Sequence, residues 1–365
     1  SGKSTYIREQ LHPAPALSYN LLDRNLLLRL LADPTMLRQE IEARRLKNCV
    51  ICVDEIQKCP DLLDEIHLLV EERQIRFLLT GSSARKLKKA GTNLLGGRGR
   101  MRNMHPFCYV ELKELDGALE KFTLEKVMYR GMLPPHYLSS NPDEDLNAYT
   151  NLYLTEEIAA EGLTRNLPRF ARFLQTMATV NTQIINYTNI GNDIQIPRQT
   201  VKLWFEVIKD TLLGFELEPY TATVKRKAIE TAKFYFFDMG VVRSLRRLPA
   251  ITPGSADYGE FFEHFICLEL KTWIDYRKPR TLFNYWRSVS GFEVDFLING
   301  EVAIEVKSAT TITAKHVKGL KALREEGCIK RSILVSREPR PRMIEGIEVL
   351  PWDYFLEQLW ANQIF

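Results

Sequence analysis

The hydrophobic pattern changes character several times along the chain. Residues 1–110 alternate short apolar runs with amphipathic stretches, as strands alternating with helices do, and helices are expected near 20–32, 34–46 and 60–73. The run Asn48-Cys-Val-Ile-Cys-Val-Asp-Glu55 closes on two acids, and Ile75-Arg-Phe-Leu-Leu-Thr-Gly-Ser-Ser83 closes on hydroxyls. Residues 111–175 read as mainly helical, with a break at Gly131-Met-Leu-Pro-Pro135. From Ile184 to Leu213 the pattern gives two helices around a turn near Asp193–Ile196, and Pro197 opens the second where proline is tolerated. Val201, Trp204, Phe205 and Ile208 make its inward stripe, while Arg198, Gln199 and Lys202 face out. An apolar segment Phe215–Tyr220, a basic loop Lys225-Arg226-Lys227 and a return strand Lys233–Phe237 complete the outline of a winged helix-turn-helix. A further helix is expected over Tyr258–Lys271. Glu263 sits among its apolar residues, and Glu260 is the competing acid on the same segment.

The densest chemistry lies in Phe292-Glu-Val-Asp-Phe-Leu-Ile-Asn-Gly-Glu-Val-Ala-Ile-Glu-Val-Lys307, two apolar strands that carry Asp295, Glu305 and Lys307. A one-residue slip would move every side chain to the other face. A two-residue loop sets Asp295 opposite Ile304 and mixes charge with apolar side chains. A three-residue loop places Asp295 beside Glu305 and Glu293 beside Lys307, and gathers Val294, Phe296, Ile298, Val302, Ile304 and Val306 on one face. The second register is expected, with Gly300 supplying a permissive backbone at the turn. Facing carboxylates destabilise an empty sheet. A hard divalent cation on Asp295 and Glu305 would remove that penalty, and Lys307 would orient a water or neutralise a phosphate.

At the start of the chain, Ser1-Gly2-Lys3-Ser4-Thr5 matches the second half of a phosphate-binding loop, whose first glycine and strand would precede Ser1. In that reading Gly2, Lys3, Ser4 and Thr5 surround nucleotide phosphates. Asp54, with Ser4, holds Mg²⁺, and Glu55 activates the hydrolytic water. Thr80 and Ser82 are hydroxyls at a strand end, where ligands of parallel sheets sit. Arg98 or Arg100, beyond Leu94-Leu-Gly-Gly, is the arginine that would stabilise charge in the transition state.

Composition sets limits on partners. The net charge of +4 gives no global affinity for polyanions, but residues 165–247 hold thirteen basic against seven acidic residues, which suggests a DNA-facing surface. No run approaches the roughly 18 apolar residues of a membrane span, and no secretory segment is visible. Six scattered cysteines suit a reduced cytoplasm, Cys49 and Cys52 reading as core residues of a strand rather than zinc ligands.

The order Gly-Lys-Ser, Val-Asp-Glu-Ile-Gln-Lys-Cys-Pro, Leu-Thr-Gly-Ser-Ser, Leu-Gly-Gly-Arg, Tyr-Arg-Gly-Met-Leu-Pro, Phe-Phe-Asp-Met-Gly and Glu-Val-Asp-Phe…Glu-Val-Lys-Ser resembles the prokaryotic AAA-type ATPases of the archaeal/bacterial group. These carry a C-terminal PD-(D/E)xK, restriction-endonuclease-like domain. The resemblance implies an α/β protein with an AAA+ P-loop parallel sheet over 1–110 and a helical segment over 111–175. A winged-helix-like domain over 176–250 and an α/β nuclease-like domain over 251–365 would follow. It further implies ATP and Mg²⁺ as cofactors, a nuclease core of Glu263, Asp295, Glu305 and Lys307, DNA as partner and a homo-oligomer formed through the AAA+ core. An alternative keeps ATP control but makes the nuclease fold a non-catalytic platform for DNA or a partner.

Overall fold

The computed structural model describes residues 2–9, 11–81, 99–116, 122–153 and 166–365. Ser82 and Arg98, two of the expected nucleotide-site residues, lie outside that set. The chain forms two compact units, one from Ser1–Met104 with Asp210–Leu212, the other from His105–Lys209 with Leu213–Phe365.

In the first unit the elements run α1 (Lys3–Glu9), β1 (Leu17–Asn20), α2 (Arg24–Ala32), α3 (Met36–Ala43), β2 (Val50–Asp54), α4 (Leu62–Arg73) and β3 (Arg76–Leu79). The three strands make a parallel sheet in the order β1-β2-β3. Parallel strands are covered on both faces and read as continuous apolar runs, and β2 fits this, with Ile51, Cys52 and Val53 all buried. Leu37 and Ile41 of α3, with Leu62, Leu63, Ile66 and Leu69 of α4, close the core around it. Asp23 caps α2 by accepting from the backbone N–H groups of Asn25 and Leu26.

The second unit opens with α5 (Tyr109–Asp116), α6 (Leu124–Arg130), α7 (Pro134–Tyr137), α8 (Pro142–Ala148) and α9 (Leu167–Thr179). The helix pair follows as α10 (Tyr187–Ile194) and α11 (Arg198–Asp210). Its stripe of Val201, Trp204, Phe205 and Ile208 is buried, while Arg198, Gln199 and Lys202 are exposed. After β4 (Gly214–Pro219) and β5 (Lys233–Phe236) come α12 (Met239–Leu245), α13 (Tyr258–Arg277), β6 (Phe283–Arg287), β7 (Glu293–Ile298) and β8 (Val302–Lys307). The chain ends in α14 (Lys318–Arg324), β9 (Arg331–Ser336), β10 (Arg342–Ile344), β11 (Ile347–Pro351) and α15 (Trp352–Trp360).

The strands of this unit form one mixed sheet of eight, ordered β10-β11-β9-β8-β7-β6-β4-β5. The hairpin β4–β5 is therefore not a free wing. β4 pairs in parallel with β6, and the basic loop beyond it is fastened down. Arg226 donates to the Ala322 carbonyl at 3.0 Å and bridges to Glu325 and Glu326, and the backbone N–H groups of Val224 and Lys225 donate to Glu326. The physical reason is edge pairing: β6 offers unpaired backbone groups that β4 satisfies. One face of the sheet packs on α13 through Phe296, Ile298, Ile304, Val306 and Ile333. The other packs on α14 through Trp286, Val294, Leu297, Ala303 and Leu334.

Close contact between α6 and α12 requires Gly240, where an added Cβ would sit 2.6 Å from the Arg130 carbonyl oxygen. Asp238 caps α12 at Val241 N–H, and the same buried carboxylate accepts from Met132 and Leu133 N–H. Among the described residues no helix is long and apolar enough to cross a membrane.

Glu269 joins the two ends of this unit. Its carboxyl accepts from Tyr109 N–H and Trp360 Nε1–H, each at 2.8 Å, and burial pushes it up to about 8. The folded chain thus keeps a proton on Glu269 after the unfolded chain has released it. Stability from this group is fully present below the ordinary value of 4.5 and is lost as pH rises towards 8. Chemical denaturation across that window should show stability falling with pH, and Glu269→Gln should flatten the fall by a few kcal/mol, on the order expected from linkage.

Candidate nucleotide site and buried carboxylate–lysine cluster

In the first unit the nucleotide-site residues come together from three segments. Gly2 has a left-handed backbone (φ +77°) directly before α1. Lys3 reaches across to donate to the Gly81 carbonyl at 2.7 Å, just past the end of β3. Ser4 donates its hydroxyl to Asp54 Oδ2 at 2.7 Å, fifty residues away in sequence. Thr80 donates to the other carboxylate oxygen, Asp54 Oδ1, and accepts from Glu55 N–H at 3.4 Å. Asp54 is held on both oxygens at the carboxyl end of β2, where ligands of open parallel sheets bind. Glu55 follows with a left-handed backbone (φ +61°), strained for a residue with a Cβ and of the kind that collects at functional sites. Thr5 is exposed on α1 and Arg100 is exposed beyond the sheet. Ser4 and Asp54 present hard oxygens side by side, a donor set suited to Mg²⁺.

In the second unit the hairpin β7–β8 has the three-residue register: Phe296 pairs Ile304, Leu297 pairs Ala303 and Ile298 pairs Val302. Asn299 and Gly300 at the turn both have positive φ. Beyond these pairs the expectation needs correction. The β6–β7 register shifts between Asn284 and Trp286, so Val294 packs with Trp286 and Leu297 on the face away from Phe296. Glu293 accordingly does not meet Lys307. It lies 3.3 Å from Arg287 and 2.6 Å from Lys233.

Lys233, the first residue of β5, was not singled out by the sequence pattern beyond its place in a basic segment. It is 3% exposed, and its ammonium lies 2.6 Å from Glu293, 3.3 Å from Glu263 and 3.9 Å from Asp295. Burial alone would lower its affinity for a proton, but Glu263, Asp295 and Glu293 together hold it above the ordinary lysine range. Glu263, on α13, also accepts from the Tyr235 hydroxyl at 2.7 Å, and burial pushes its carboxyl up to about 7. Glu260 is turned elsewhere, to Arg246 at 2.8 Å.

Lys307 completes the cluster at 2.5 Å from Glu305 and 3.8 Å from Asp295. Asp295 Oδ2 accepts from Val306 N–H at 2.8 Å. Burial, reinforced by Asp295, pushes Glu305 up to about 8, and its Oε2 meets no partner among the described residues. The four expected residues Glu263, Asp295, Glu305 and Lys307 do converge, but around ammonium groups. The divalent ion expected on Asp295 and Glu305 does not fit this arrangement. Among the described residues no group of three His, Cys, Asp or Glu side chains is disposed to hold a metal.

Part of the basic excess of the middle segment is engaged within the fold. Arg243 binds Asp143 and the Tyr129 and Leu248 carbonyls, Lys209 pairs with Glu206 and Glu216, and Lys233 and Arg226 are engaged as above. Arg169, Arg172, Arg198, Lys202, Lys225, Lys227 and Arg247 are exposed.

Comparison with known proteins divides the chain in three. Residues 1–113 match the AAA domain. The match supports an AAA-type N-terminal part. Residues 121–252 and 258–355 match two domains of unknown function, DUF8612 and DUF4143. Proteins described as uncharacterized from Mycobacterium bovis and Mycobacterium tuberculosis are each 24% identical over 282 residues, covering 73% of this chain. The chain spans 58% of the length of these relatives. Two solved structures align over 95% of the chain: protein VC1899 from Vibrio cholerae and Can2 from Sulfobacillus thermosulfidooxidans in complex with cyclic tetra-adenylate. At 15% and 10% identity, with TM-scores of 0.22 and 0.23, neither likeness bears on fold or function.

Thr80 serves two partners from one hydroxyl, so Thr80→Val should leave Asp54 Oδ1 and Glu55 N–H short of a hydrogen bond. A loss of about 1–3 kcal/mol in urea unfolding is expected, with the sheet's far-UV signal retained.

Proposed function

We propose that this chain is an ATP-hydrolysing switch whose C-terminal unit docks to DNA. The observation that carries the first half is the contact of Ser4 with Asp54, which brings the residue after the phosphate-loop lysine to the acid ending β2. Mg²⁺, when bound with nucleotide, supplies positive charge to the β- and γ-phosphate oxygens. Ser4 and Asp54 are the residues that would hold it. Lys3 exchanges its present acceptor, the Gly81 carbonyl, for a phosphate oxygen. Glu55 stands one residue beyond Asp54 and positions the attacking water. Thr80 keeps Asp54 oriented, and Arg98 neutralises charge developing on the transferred group.

DNA docking is supported by the helix pair α10–α11, whose second helix presents Arg198 and Lys202 outward. Arg172 and Arg247, with Gln175 and Thr176, line an open cleft of about 620 Å³ beside the C-terminal end of α10. Exposed cations of this kind make a salt-dependent contribution to phosphate binding.

A second reading, in which Asp295, Glu305 and Lys307 cut DNA, is favoured by their convergence from two strands. The non-catalytic platform is favoured by the lysines that already neutralise the carboxylates.

In a chain that includes the residues upstream of Ser1, Lys3→Ala should abolish ATP turnover. Glu55→Gln should lower it by roughly 10²–10⁴-fold, with nucleotide binding kept in the second variant. Wild-type turnover in both would remove the ATPase assignment. Incubation of labelled DNA with Mg²⁺ or Mn²⁺ separates the other two readings. Cleavage that disappears in Lys307→Ala supports cutting, and a retarded but uncut complex supports docking.

A further inference from the structure

Where the loop after β4 meets α14, the basic side chains fall into two kinds. Three serve the fold. Arg226 ties the loop to Glu325, Glu326 and the Ala322 carbonyl, and its guanidinium lies 5.3 Å from the centre of the Phe292 ring. Lys321 pairs with Glu345, and Arg324 donates to the Glu345 carbonyl at 3.0 Å. Both stand in the last turn of α14, where a helix favours positive charge. The other four, Lys225, Lys227, Lys315 and Lys318, are exposed and make no ion pair among the described residues. Two of these are also badly placed for folding. Lys318 opens α14 and Lys315 precedes it, yet the first turn has no acid and Val317 offers no side-chain cap. Positive charge there opposes the helix dipole, so helix formation does not account for it.

We infer that Lys225, Lys227, Lys315 and Lys318 form a surface that grips the phosphate backbone of DNA. The inference rests on the reading that the C-terminal unit docks to DNA, and it adds a second place of contact to the α10–α11 pair. The segments that carry these lysines adjoin. Val289 N–H, in the turn between β6 and β7, donates to the Lys227 carbonyl at 2.9 Å. Gly319, next to Lys318, lies so close to the start of β7 that an added Cβ would collide with the Glu293 carbonyl oxygen. The β6–β7 turn therefore borders both the loop and the beginning of α14. The loop is fixed through its backbone, because Val224 and Lys225 N–H both donate to Glu326. A surface held in advance loses less freedom on binding. Glu325 and Glu345 are engaged by Arg226 and Lys321, which leaves the four lysines in excess. A membrane is the less suitable polyanion. Interfacial helices need a free apolar face, whereas α14 buries Leu320 and Leu323 against the sheet. Lysine contacts to phosphate position a duplex without reading its bases.

The test is fluorescence anisotropy of a labelled DNA duplex with the whole chain, in EDTA, across a series of KCl concentrations. Each phosphate contact contributes about 0.9 to the slope of log affinity against log salt. Lys225→Gln, Lys227→Gln, Lys315→Gln and Lys318→Gln combined should flatten that slope by roughly 3–4. The loss of affinity should be alike for duplexes of unrelated sequence. Arginine at the same four positions should preserve both affinity and slope. Thermal unfolding of the Gln variant should match or exceed wild type, since no ion pair is lost and Lys318 no longer opposes its helix dipole. A folded Gln variant with wild-type affinity and slope overturns the inference while leaving the docking reading in place. Wild type that binds no duplex overturns both. Binding through these lysines to phosphatidylserine vesicles but not to DNA overturns the inference in favour of a membrane. Should the fourfold variant fail to fold, the single variants decide: each flattens the slope by about 0.9, or the inference falls.

Discussion

Charge buried in the interior of the second unit has to be balanced where it lies, and the ammonium of Lys233 is what balances it. Asp295 is buried and Glu263 and Glu293 are only partly exposed, and burying an unpaired carboxylate costs several kcal/mol. The lysine turns three separate penalties into one shared interaction. Its position dictates much of the surrounding architecture. β5 must lie at the sheet edge nearest α13, β4 must bridge it to β6, and β6–β7 must shift register so that Glu293 turns towards it. Burial raises the carboxyls of Glu263 and Glu305 by more than the neighbouring lysines lower them.

The first unit handles charge differently. Asp54 sits at a strand end rather than in the interior, and Ser4 and Thr80 contact it through hydroxyls, not cations. Neutral donors orient a carboxylate without cancelling it, which keeps its charge available to an incoming ion. One acidic centre is held by neutral hydroxyls and the other by ammonium groups. This contrast separates the two halves of the chain more sharply than their motifs do.

Much of this was legible in the sequence. The apolar runs ending at Asp54 and Thr80 marked β2 and β3, since a buried parallel strand leaves a continuous hydrophobic trace and a polar end. The register of β7–β8 followed from keeping Asp295 off the side of Ile304, a choice set by alternation alone. The stripe Val201, Trp204, Phe205 and Ile208 identified α11 by its helical period. The use of Lys233 was not legible. Its one local sign is a lysine opening the buried aromatic strand Lys-Phe-Tyr-Phe, and its acids lie thirty to sixty-two residues further on. The shift within β6–β7 escaped for a related reason: periodicity assumes uninterrupted pairing, and an irregularity in the neighbouring strand leaves no trace in β7 itself. The net charge over 165–247 did not reveal which of its basic side chains point inward, as those of Lys233 and Arg243 do.

The fusion of β4–β5 to the large sheet has a practical corollary for dissecting the chain. A fragment beginning near residue 251 would look like a self-contained piece by its matched family segment. It would nevertheless leave β6 with an open flank and strand its inner acids without their neutralising amine. Such a piece should be sticky and poorly soluble, whereas one that starts upstream of the helix pair would keep both the missing strands and the amine.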